Sequence, residues 1–247
     1  MVKLAMITGA SGGLGRAVGL LLQEDGWSLA LVGRDQSRLE GLIDEALLIE
    51  ADVSTPEGAE LAFDRCREEK GHPPTALAHC AGGVLILPLH RTTSEQYRNC
   101  LSANLDSAFF TLKAFVNALL KAKQPGSAVL VSSVAARIGV TRHESIAAAK
   151  AGIEGLVRAA AASYSNRGIR VNAIAPGLMR SPATESFFVG GKAEKQIAAQ
   201  YPLGTYGSVD DGAQAITWLL SNEARWVTGQ ILPVDGGFSA VRPMVRE

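Results

Sequence analysis

The sequence predicts an α/β fold, a doubly wound parallel sheet of about seven strands with helices on both faces. Short apolar segments alternate along the chain with helix-length amphipathic segments, and this alternation is typical of a parallel sheet covered by helices. Glycine- and proline-containing turns separate the two kinds of segment. We expect the 247 residues to form a single domain, because α/β folds of this length commonly do.

The predicted elements follow from these patterns in chain order. Strands are predicted at 3–8, 27–33, 46–52, 75–80, 127–133, 169–175 and 230–235, and helices at 13–25, 35–44, 56–69, 94–122 and 144–167. The region 177–208 is predicted to be irregular and to follow a strand, at the sheet edge where open α/β sheets bind ligands. We interpret it as a substrate lid. Its Met179, Phe187 and Phe188 favour an apolar or ring-containing substrate.

Composition and charge exclude several classes of protein. Lys and Arg number 24, as do Asp and Glu, so the formal net charge is zero and no nucleic-acid partner is expected. Cys66, Cys80 and Cys100 are widely spaced, which predicts neither a disulfide framework nor a metal site. No apolar segment has the pattern of a signal peptide or the length of a membrane span. A cytoplasmic location is therefore expected.

A glycine-rich turn, TGASGGLG at 8–15, follows the first predicted strand and opens the first helix. Glycines at such a turn let the backbone approach a pyrophosphate, and the helix N-terminus supplies free N–H groups and a positive dipole end. The turn therefore predicts a Rossmann-like site for a nicotinamide dinucleotide. The candidate cofactor-binding residues of the turn are Gly9, Ser11, Gly13, Leu14 and Gly15.

Two other motifs overlap this turn. The segment 9–13 matches the G-x-S-x-G elbow of serine hydrolases, with Ser11 as nucleophile. That elbow needs an upstream strand and loop to donate an oxyanion N–H, and we find no such element before residue 3. A Walker phosphate loop ends in Gly-Lys-Ser/Thr, whereas Gly15 is followed by Arg16 and Ala17.

The end of the second strand bears on the choice between NAD and NADP. Gly33 stands where an NAD-selective protein usually places a carboxylate for the ribose 2′-hydroxyl. Arg34 can instead pair with a 2′-phosphate, so NADP is expected, with NAD as the alternative if Arg34 is only a solvated loop residue. Asp52 and Val53, at the close of the third strand, are expected beside the adenine.

The sequence resembles the short-chain dehydrogenase/reductase family over nearly its whole length. The matching segments are TGASGGLG at 8–15, Asp52-Val53, Ala81-Gly82, Asn104 in SANLDSAF, Ser133 in VLVSS, Lys150 in AAAKAG, IRVNAIAPG at 169–177 and TGQILPVDGG at 228–237. The resemblance implies a Rossmann-like domain, hydride transfer between a small-molecule substrate and NAD or NADP, and a homodimer or homotetramer. It also implies cofactor contacts from Ala81, Gly82, Asn104, Lys150, Pro176 and Gly177.

The family's catalytic residues are Asn, Ser, Tyr and Lys, with tyrosine four residues before lysine. Asn104, Ser133 and Lys150 match this set, but the tyrosine position is Ile146. Isoleucine has no proton to exchange, so the departure affects the chemical step and leaves the cofactor site intact.

His143 is the candidate replacement for the missing proton donor. It lies seven residues before Lys150, which brings it back to nearly the same helix face. Some enoyl reductases that resemble this family place their tyrosine at that spacing, and imidazole titrates near neutrality. The alternative is a capping or surface histidine at a helix start.

Three functions are compatible with these residues. The first is an NADP-dependent oxidoreductase that acts on a small carbonyl, alcohol or activated alkene with an unusual proton donor. The second is a catalytically inactive NAD(P)-binding protein with a regulatory or structural role, and the third is a non-redox reaction such as elimination. Retention of Asn104, Ser133 and Lys150 favours the first, because a binding protein needs only the lysine.

Contacts between subunits are predicted on two helices and one strand. Small residues extend beyond one stripe on the predicted helices 94–122 and 144–167, which permits close helix approach across a two-fold axis. The strand QILPVD at 230–235 is a second candidate contact.

Overall fold

The computed structural model describes residues 3–242, and nine strands lie in that range. They are β1 (Leu4–Thr8), β2 (Ser28–Gly33), β3 (Leu47–Glu50), β4 (Ala76–His79), β5 (Gly126–Val131), β6 (Ile169–Pro176), β7 (Met179–Arg180), β8 (Gly207–Ser208) and β9 (Ile231–Val234). All except β7 and β8 form one parallel sheet in the order β3-β2-β1-β4-β5-β6-β9. The short strands β7 and β8 pair separately, also in parallel. The predicted doubly wound sheet is confirmed.

The helices of the described chain cover both faces of this sheet. They are α1 (Gly13–Glu24), α2 (Pro56–Lys70), α3 (Ser94–Leu101), α4 (Ser107–Ala122), α5 (Glu144–Tyr164), α6 (Gly191–Ala198) and α7 (Val209–Leu220). Phe115 of α4 and Ile153 of α5 are buried in the core on one face, while Val18 of α1 and Ile216 of α7 are buried in the core on the other. Within residues 3–242, no helix combines the length and apolar character needed to cross a membrane.

The strand order explains where a ligand can bind. The chain builds the sheet outward from β1 to β3, then returns to place β4 on the other side of β1. Connections therefore leave β1 and β4 in opposite directions, and a crevice opens at the carboxyl ends of these two strands. The glycine turn follows β1 and the Ala81-Gly82 segment follows β4, so both border this crevice.

Two helix predictions differ from the structure. The predicted helix 35–44 is wrong: it contains only a 3₁₀ turn at Gln36–Arg38. The Asp35 side chain accepts from the Ser37 backbone N–H, and Gly41 has a φ of +67°, so the segment turns instead of continuing as a helix. The predicted helix 94–122 is interrupted by a π-helical segment at Ser102–Asp106.

The region after β6 also differs from the prediction. The prediction that 177–208 is irregular is wrong, because this region contains β7, a 3₁₀ turn at Glu185–Phe188, α6 and β8. Helix α7 was not predicted. Its N-terminus has a capping box, in which Ser208 Oγ accepts from the Asp211 backbone N–H and the Asp211 carboxylate accepts from the Ser208 backbone N–H. Asp52 lies just beyond β3 and does not close that strand.

Candidate cofactor and active site

The glycine turn after β1 is too tightly packed for larger residues at two positions. Gly9 has a φ of +66°, and a β-carbon there would lie 2.7 Å from the Ala81 Cα. A β-carbon on Gly15 would lie 2.5 Å from the Gly9 carbonyl oxygen. The turn is therefore held against the start of the segment that follows β4, and the first residues of α1 pack directly on the turn.

The N-terminus of α1 has no side-chain cap. Gly12 occupies the N-cap position, and its backbone N–H donates to the Gly9 carbonyl at 3.0 Å. The first N–H groups of α1 are thus left for a ligand, and the positive end of the helix dipole favours an anion there. This geometry fits the pyrophosphate of a dinucleotide.

The remaining residues of the turn contact the region that follows β6. A β-carbon on Gly13 would lie 3.1 Å from Pro182 Cδ and 3.3 Å from Val209 Cγ1. Leu14 packs in the core below, beside α7, and Ser11 is half-buried. The segment between β7 and α7 therefore covers the glycine turn.

Arg34, Asp52 and Val53 lie together at the carboxyl ends of β2 and β3. The Ala51 backbone N–H donates to the Gly33 carbonyl at 2.9 Å, which joins the two strand ends. Arg34 is exposed and belongs to no ion pair within residues 3–242. Val53 is buried, whereas the Asp52 carboxylate accepts from Ser54 N–H at 3.0 Å. This edge offers a cation and an apolar surface to the adenosine end of a cofactor.

The π-helical segment between α3 and α4 positions Asn104. Its side-chain amide donates to the Cys100 carbonyl at 2.9 Å, and its Oδ1 accepts from the Gly83 backbone N–H at 3.2 Å. Asn104 is 1% exposed. Single-turn π segments inside helices are frequent at functional sites because they redirect a side chain.

Lys150 meets Asn104 beside Gly82. A β-carbon on Gly82 would lie 2.7 Å from Asn104 Oδ1 and 3.5 Å from Lys150 Nζ. The Lys150 ammonium donates to the Val131 carbonyl at 2.8 Å. The structure therefore brings Asn104, Lys150 and Gly82 together.

Burial changes the acid-base properties of Lys150. Its residue is 8% exposed, and desolvation lowers its pKa from 10.5 to about 8. The neighbouring thiols of Cys80 and Cys100 do not supply a balancing anion, because burial raises the pKa of Cys80 to about 12 and also raises that of Cys100. An anionic ligand beside Lys150 would thus stabilise its charged form.

Ser132 and Ser133 follow β5 and have different surroundings. Ser133 is half-buried, and its Oγ accepts from the Ala135 backbone N–H at 3.2 Å. Ser132 is buried and donates to Glu154 Oε1 at 3.2 Å, and Arg137 Nε donates to the same carboxylate oxygen at 3.1 Å. This Ser132–Glu154–Arg137 network fixes α5 on the end of β5, and sequence reasoning missed it. Its three members come from separate parts of the chain, so their spacing in the sequence gives no signal of the network.

Ile146 and His143 lie at the start of α5. Ile146 is 5% exposed and precedes Lys150 by one helical turn. His143 is the N-cap residue of α5, is half-buried, and makes a hydrogen bond from Nδ1 to the Thr141 carbonyl at 2.8 Å. A carbonyl can only accept, so Nδ1 carries the proton and Nε2 is the remaining ring nitrogen. Among the described residues, no hydrogen bond joins His143 to Asn104, Ser133 or Lys150.

A buried histidine links three elements beneath the crevice. His79, on β4, is 1% exposed, with Nδ1 2.8 Å from Thr8 Oγ1 and Nε2 3.2 Å from Ser107 Oγ. Ser107 in turn donates to the Ala103 carbonyl at 2.8 Å. Desolvation lowers the pKa of His79 to about 3. The neutral ring therefore joins β1, β4 and α4 and does not titrate near neutrality.

Pro176 ends β6, and Gly177 follows it at the same edge of the sheet. The Gly177 N–H donates to the Val234 carbonyl at 3.0 Å, and the next N–H, of Leu178, donates to the Tyr201 hydroxyl at 2.7 Å. The segment 177–208 is thus anchored to β9 and to the residues after α6.

One arginine organises the middle of this segment. Arg180 pairs with Glu185 and Glu194, each at 2.6 Å. Its guanidinium carbon also lies 5.4 Å from the centroid of the Phe188 ring. Phe188 is buried, and Phe187 is partly exposed.

Comparison with known proteins assigns the family. The family model described as Enoyl-(Acyl carrier protein) reductase matches residues 9–239. The chain is 31% identical over 244 residues to a 2,5-dichloro-2,5-cyclohexadiene-1,4-diol dehydrogenase of Sphingobium indicum, which covers 97% of this chain and 98% of that protein. It is 30% identical over 247 residues to a cyclohexanol dehydrogenase of an Acinetobacter species, which covers 96% and 95%.

Among solved structures, ElxO with bound NADP shares the fold. The TM-score is 0.89 at 23% sequence identity, with 96% of this chain and 99% of ElxO covered. The matching family model, the named relatives and the parallel sheet agree with one another, and the protein belongs to the short-chain dehydrogenase/reductase family of oxidoreductases.

Proposed function

We propose that the protein is an NADP-dependent oxidoreductase that interconverts a small cyclic alcohol and the corresponding carbonyl compound. The meeting of Asn104, Lys150 and the Gly82 backbone beside the glycine turn is the observation that carries this proposal. The relatives from Sphingobium indicum and Acinetobacter are named for the oxidation of six-membered-ring alcohols, which supports the substrate class.

The cofactor would be held along the crevice from the glycine turn to β6. Gly9 and Gly15 let the turn pack tightly below the uncapped N-terminus of α1, where the pyrophosphate would bind, and the exposed Arg34 supports the 2′-phosphate of NADP over NAD. The same fold holds NADP in ElxO. When bound, the nicotinamide supplies or accepts the hydride.

The residues around the reacting centre have three different proposed roles: cofactor binding, substrate orientation and proton transfer. Lys150 holds the ribose hydroxyls of the cofactor, Asn104 fixes the Gly83 backbone beside it, and Ser133 orients the substrate oxygen. Ile146 occupies the position at which the family resemblance places tyrosine. We therefore propose that His143 exchanges the proton through Nε2, since its Nδ1 is already bonded to Thr141.

Residues 177–208 are proposed as the substrate lid. They leave the end of β6, cover the glycine turn through Pro182, and carry the aromatic ring of Phe187 at the surface. The Arg180 ion pairs give this segment an ordered structure, so we expect it to move as a unit.

An inactive NAD(P)-binding protein is the competing function, and the isoleucine at position 146 is the observation that favours it.

The test measures the oxidation of NADPH and the reduction of NADP in the presence of a panel of cyclic ketones, cyclic alcohols and activated alkenes. The two decisive variants are His143→Ala and Ile146→Tyr. His72→Ala is the matched control, because His72 is also half-buried and bonded to a backbone carbonyl, at 3.1 Å, but precedes β4 at the opposite sheet edge.

We expect His143→Ala to lower turnover at least tenfold and to leave the affinity for NADPH unchanged. We expect His72→Ala to keep normal turnover. Full turnover of His143→Ala would remove the histidine from the mechanism. Activity that appears only in Ile146→Tyr would establish that the natural chain binds its cofactor without catalysing the reaction.

We also propose a homodimer or homotetramer formed through α4 and α5. Ala148, Ala151, Ala159 and Ala162 form an exposed row of small residues on α5, and Phe109 of α4 is 49% exposed beside a cavity of about 140 Å³ between the two helices. Such a surface permits close helix approach across a two-fold axis. Light scattering should show an oligomer at micromolar concentration that Ala151→Arg dissociates; a wild-type monomer would refute it.

A further inference from the structure

A cavity of about 380 Å³ lies between the loop that follows β4 and the segment that precedes α5. It is lined by Ile86, Leu87, Pro88, His90, Arg91 and Arg142. Half of this lining is apolar and half can carry positive charge, and no carboxylate side chain is among the lining residues. The surface therefore suits a molecule with a hydrocarbon part and a negatively charged group.

The two arginines of this cavity are available to a ligand. Neither Arg91 nor Arg142 takes part in any ion pair of residues 3–242, and both are exposed. By contrast, Arg137 pairs with Glu154, and Arg180 pairs with Glu185. An unpaired guanidinium offers a planar set of donors that matches the two oxygens of a carboxylate.

The backbone holds both arginines in defined turns. Arg91 ends the 3₁₀ turn Leu89–Arg91, and its N–H donates to the Pro88 carbonyl at 2.9 Å. Arg142 has a φ of +66°, a conformation that L-residues other than Asn and Asp rarely adopt. Hydrogen bonds from the next residue, His143, to the carbonyls of Val140 and Thr141 stabilise that turn. Both turns thus place a cation at the cavity independently of any ligand.

Both walls of the cavity are close along the chain to residues of the candidate active site. One wall begins at Ile86, three residues after Gly83, whose N–H donates to Asn104 Oδ1. The other wall includes Arg142, the residue before His143 and four residues before Ile146. A small ring held in this cavity would therefore contact the two chain segments that lead to the residues proposed for catalysis.

We propose that Arg91 and Arg142 bind a carboxylate group of the substrate, while its ring packs on Ile86, Leu87 and Pro88. The substrate class is then a hydroxy- or oxo-substituted alicyclic carboxylic acid, and the orientation of its ring is set by the two arginines. This inference rests on the proposed oxidoreductase function, because it names the substrate of that same site. A phosphate monoester shares the oxyanion chemistry and is distinguished by the test.

The test is calorimetric titration of the full chain, saturated with NADPH, with cyclohexanecarboxylate, cyclohexanol and cyclohexyl phosphate. The carboxylate should bind at least tenfold more tightly than cyclohexanol, the scale of one charge-assisted hydrogen bond. Arg91→Gln and Arg142→Gln should each weaken carboxylate binding fivefold or more and leave cyclohexanol binding unchanged. Substitution of lysine at either position should restore part of the affinity, since the charge is kept but the planar fork is lost.

The control variant is Arg98→Gln, which removes an exposed arginine of α3 outside the cavity lining and should bind all three probes like the wild type. Equal affinity for carboxylate and cyclohexanol, or carboxylate binding unchanged in both arginine variants, would overturn the inference. Tighter binding of cyclohexyl phosphate than of the carboxylate would overturn the carboxylate assignment.

A prior titration with NADPH separates the two proposals. Failure of the wild type to bind NADPH would refute the proposed function by itself. In that case cyclohexanecarboxylate is titrated into the cofactor-free chain. The carboxylate inference then requires that Arg91→Gln and Arg142→Gln each weaken the binding of this probe.

Discussion

Replacing Lys150 with methionine should remove a pH-dependent part of the protein's stability and, with it, the affinity for NADPH. Burial lowers the pKa of the Lys150 ammonium from 10.5 to about 8 in the folded chain. The difference corresponds to about 3 kcal/mol, at roughly 1.36 kcal/mol for each pKa unit. Below pH 8, the folded chain carries the full cost of keeping this charge out of water.

The sign of the effect follows from proton binding. Between pH 8 and pH 10.5 the unfolded chain keeps the proton on Lys150 while the folded chain has released it. The unfolded state therefore binds more protons, and the free energy of unfolding rises with pH over that window. The methionine variant lacks the titrating group, so the difference between wild type and variant should change by about 3 kcal/mol from pH 7 to pH 10.5.

At pH 7 two effects of the substitution oppose each other. Removing the buried charge stabilises the fold, but the Val131 carbonyl loses its 2.8 Å donor, and a buried carbonyl without a partner costs about 1–3 kcal/mol. The net change at neutral pH is therefore small. The change with pH is the more decisive quantity.

Urea unfolding of both proteins at intervals from pH 7 to pH 10.5 measures this dependence. Lys113→Met is the matched control, because Lys113 is half-exposed on α4 and lies 3.8 Å from Glu60. It should keep the wild-type pH profile and wild-type NADPH affinity. Parallel pH profiles for wild type and Lys150→Met would refute the argument that Lys150 is a costly buried cation.

Three further outcomes are expected. First, the free energy of unfolding of the wild type should fall by about 3 kcal/mol between pH 6.5 and pH 4. In this range His79 binds a proton in the unfolded chain but not in the folded chain, where its pKa is about 3. Urea unfolding of His79→Gln should not show this fall. Gly15→Ala should abolish NADPH binding in calorimetry, because its β-carbon meets the Gly9 carbonyl oxygen at 2.5 Å, whereas Gly155→Ala, with open space around it, should bind normally. Arg34→Ala should weaken NADPH by about 1–3 kcal/mol and leave NADH unchanged, and equal wild-type affinities for the two cofactors would contradict an NADP preference.

The main sheet was predictable because its central strands are buried on both faces and are therefore continuous apolar segments. Such segments stand out in the sequence, as LAMIT of β1 does with all five residues buried. The helix between β2 and β3 was wrongly predicted, because the turns at Asp35 and Gly41 depend on local hydrogen bonds and a positive φ. Helix α7 could have been found, since Ser208 and Asp211 have the spacing of a capping box.

The site was predictable where it depends on sequence spacing and not where it depends on tertiary contacts. The glycine turn is one continuous segment, so its role could be predicted directly. The π segment that positions Asn104 shifts backbone hydrogen bonds without changing the apolar periodicity, and it leaves little trace in the sequence. Arg91 and Arg142 come from two separate loops, and only the folded chain places them on one cavity.

Ile146 affects the two halves of the proposed site differently. The cofactor half consists of the backbone of the glycine turn, the uncapped N-terminus of α1 and the buried Lys150 ammonium, and none of these depends on a hydroxyl at position 146. Ile146 itself is buried, so its side chain contributes to the packing of α5 and its replacement by tyrosine must displace neighbouring atoms. Proton transfer, in contrast, needs a titratable group in contact with the substrate oxygen. NADPH affinity and turnover therefore report on separate parts of the protein, and a variant at position 146 that changes turnover while leaving affinity constant would locate the chemistry at the start of α5.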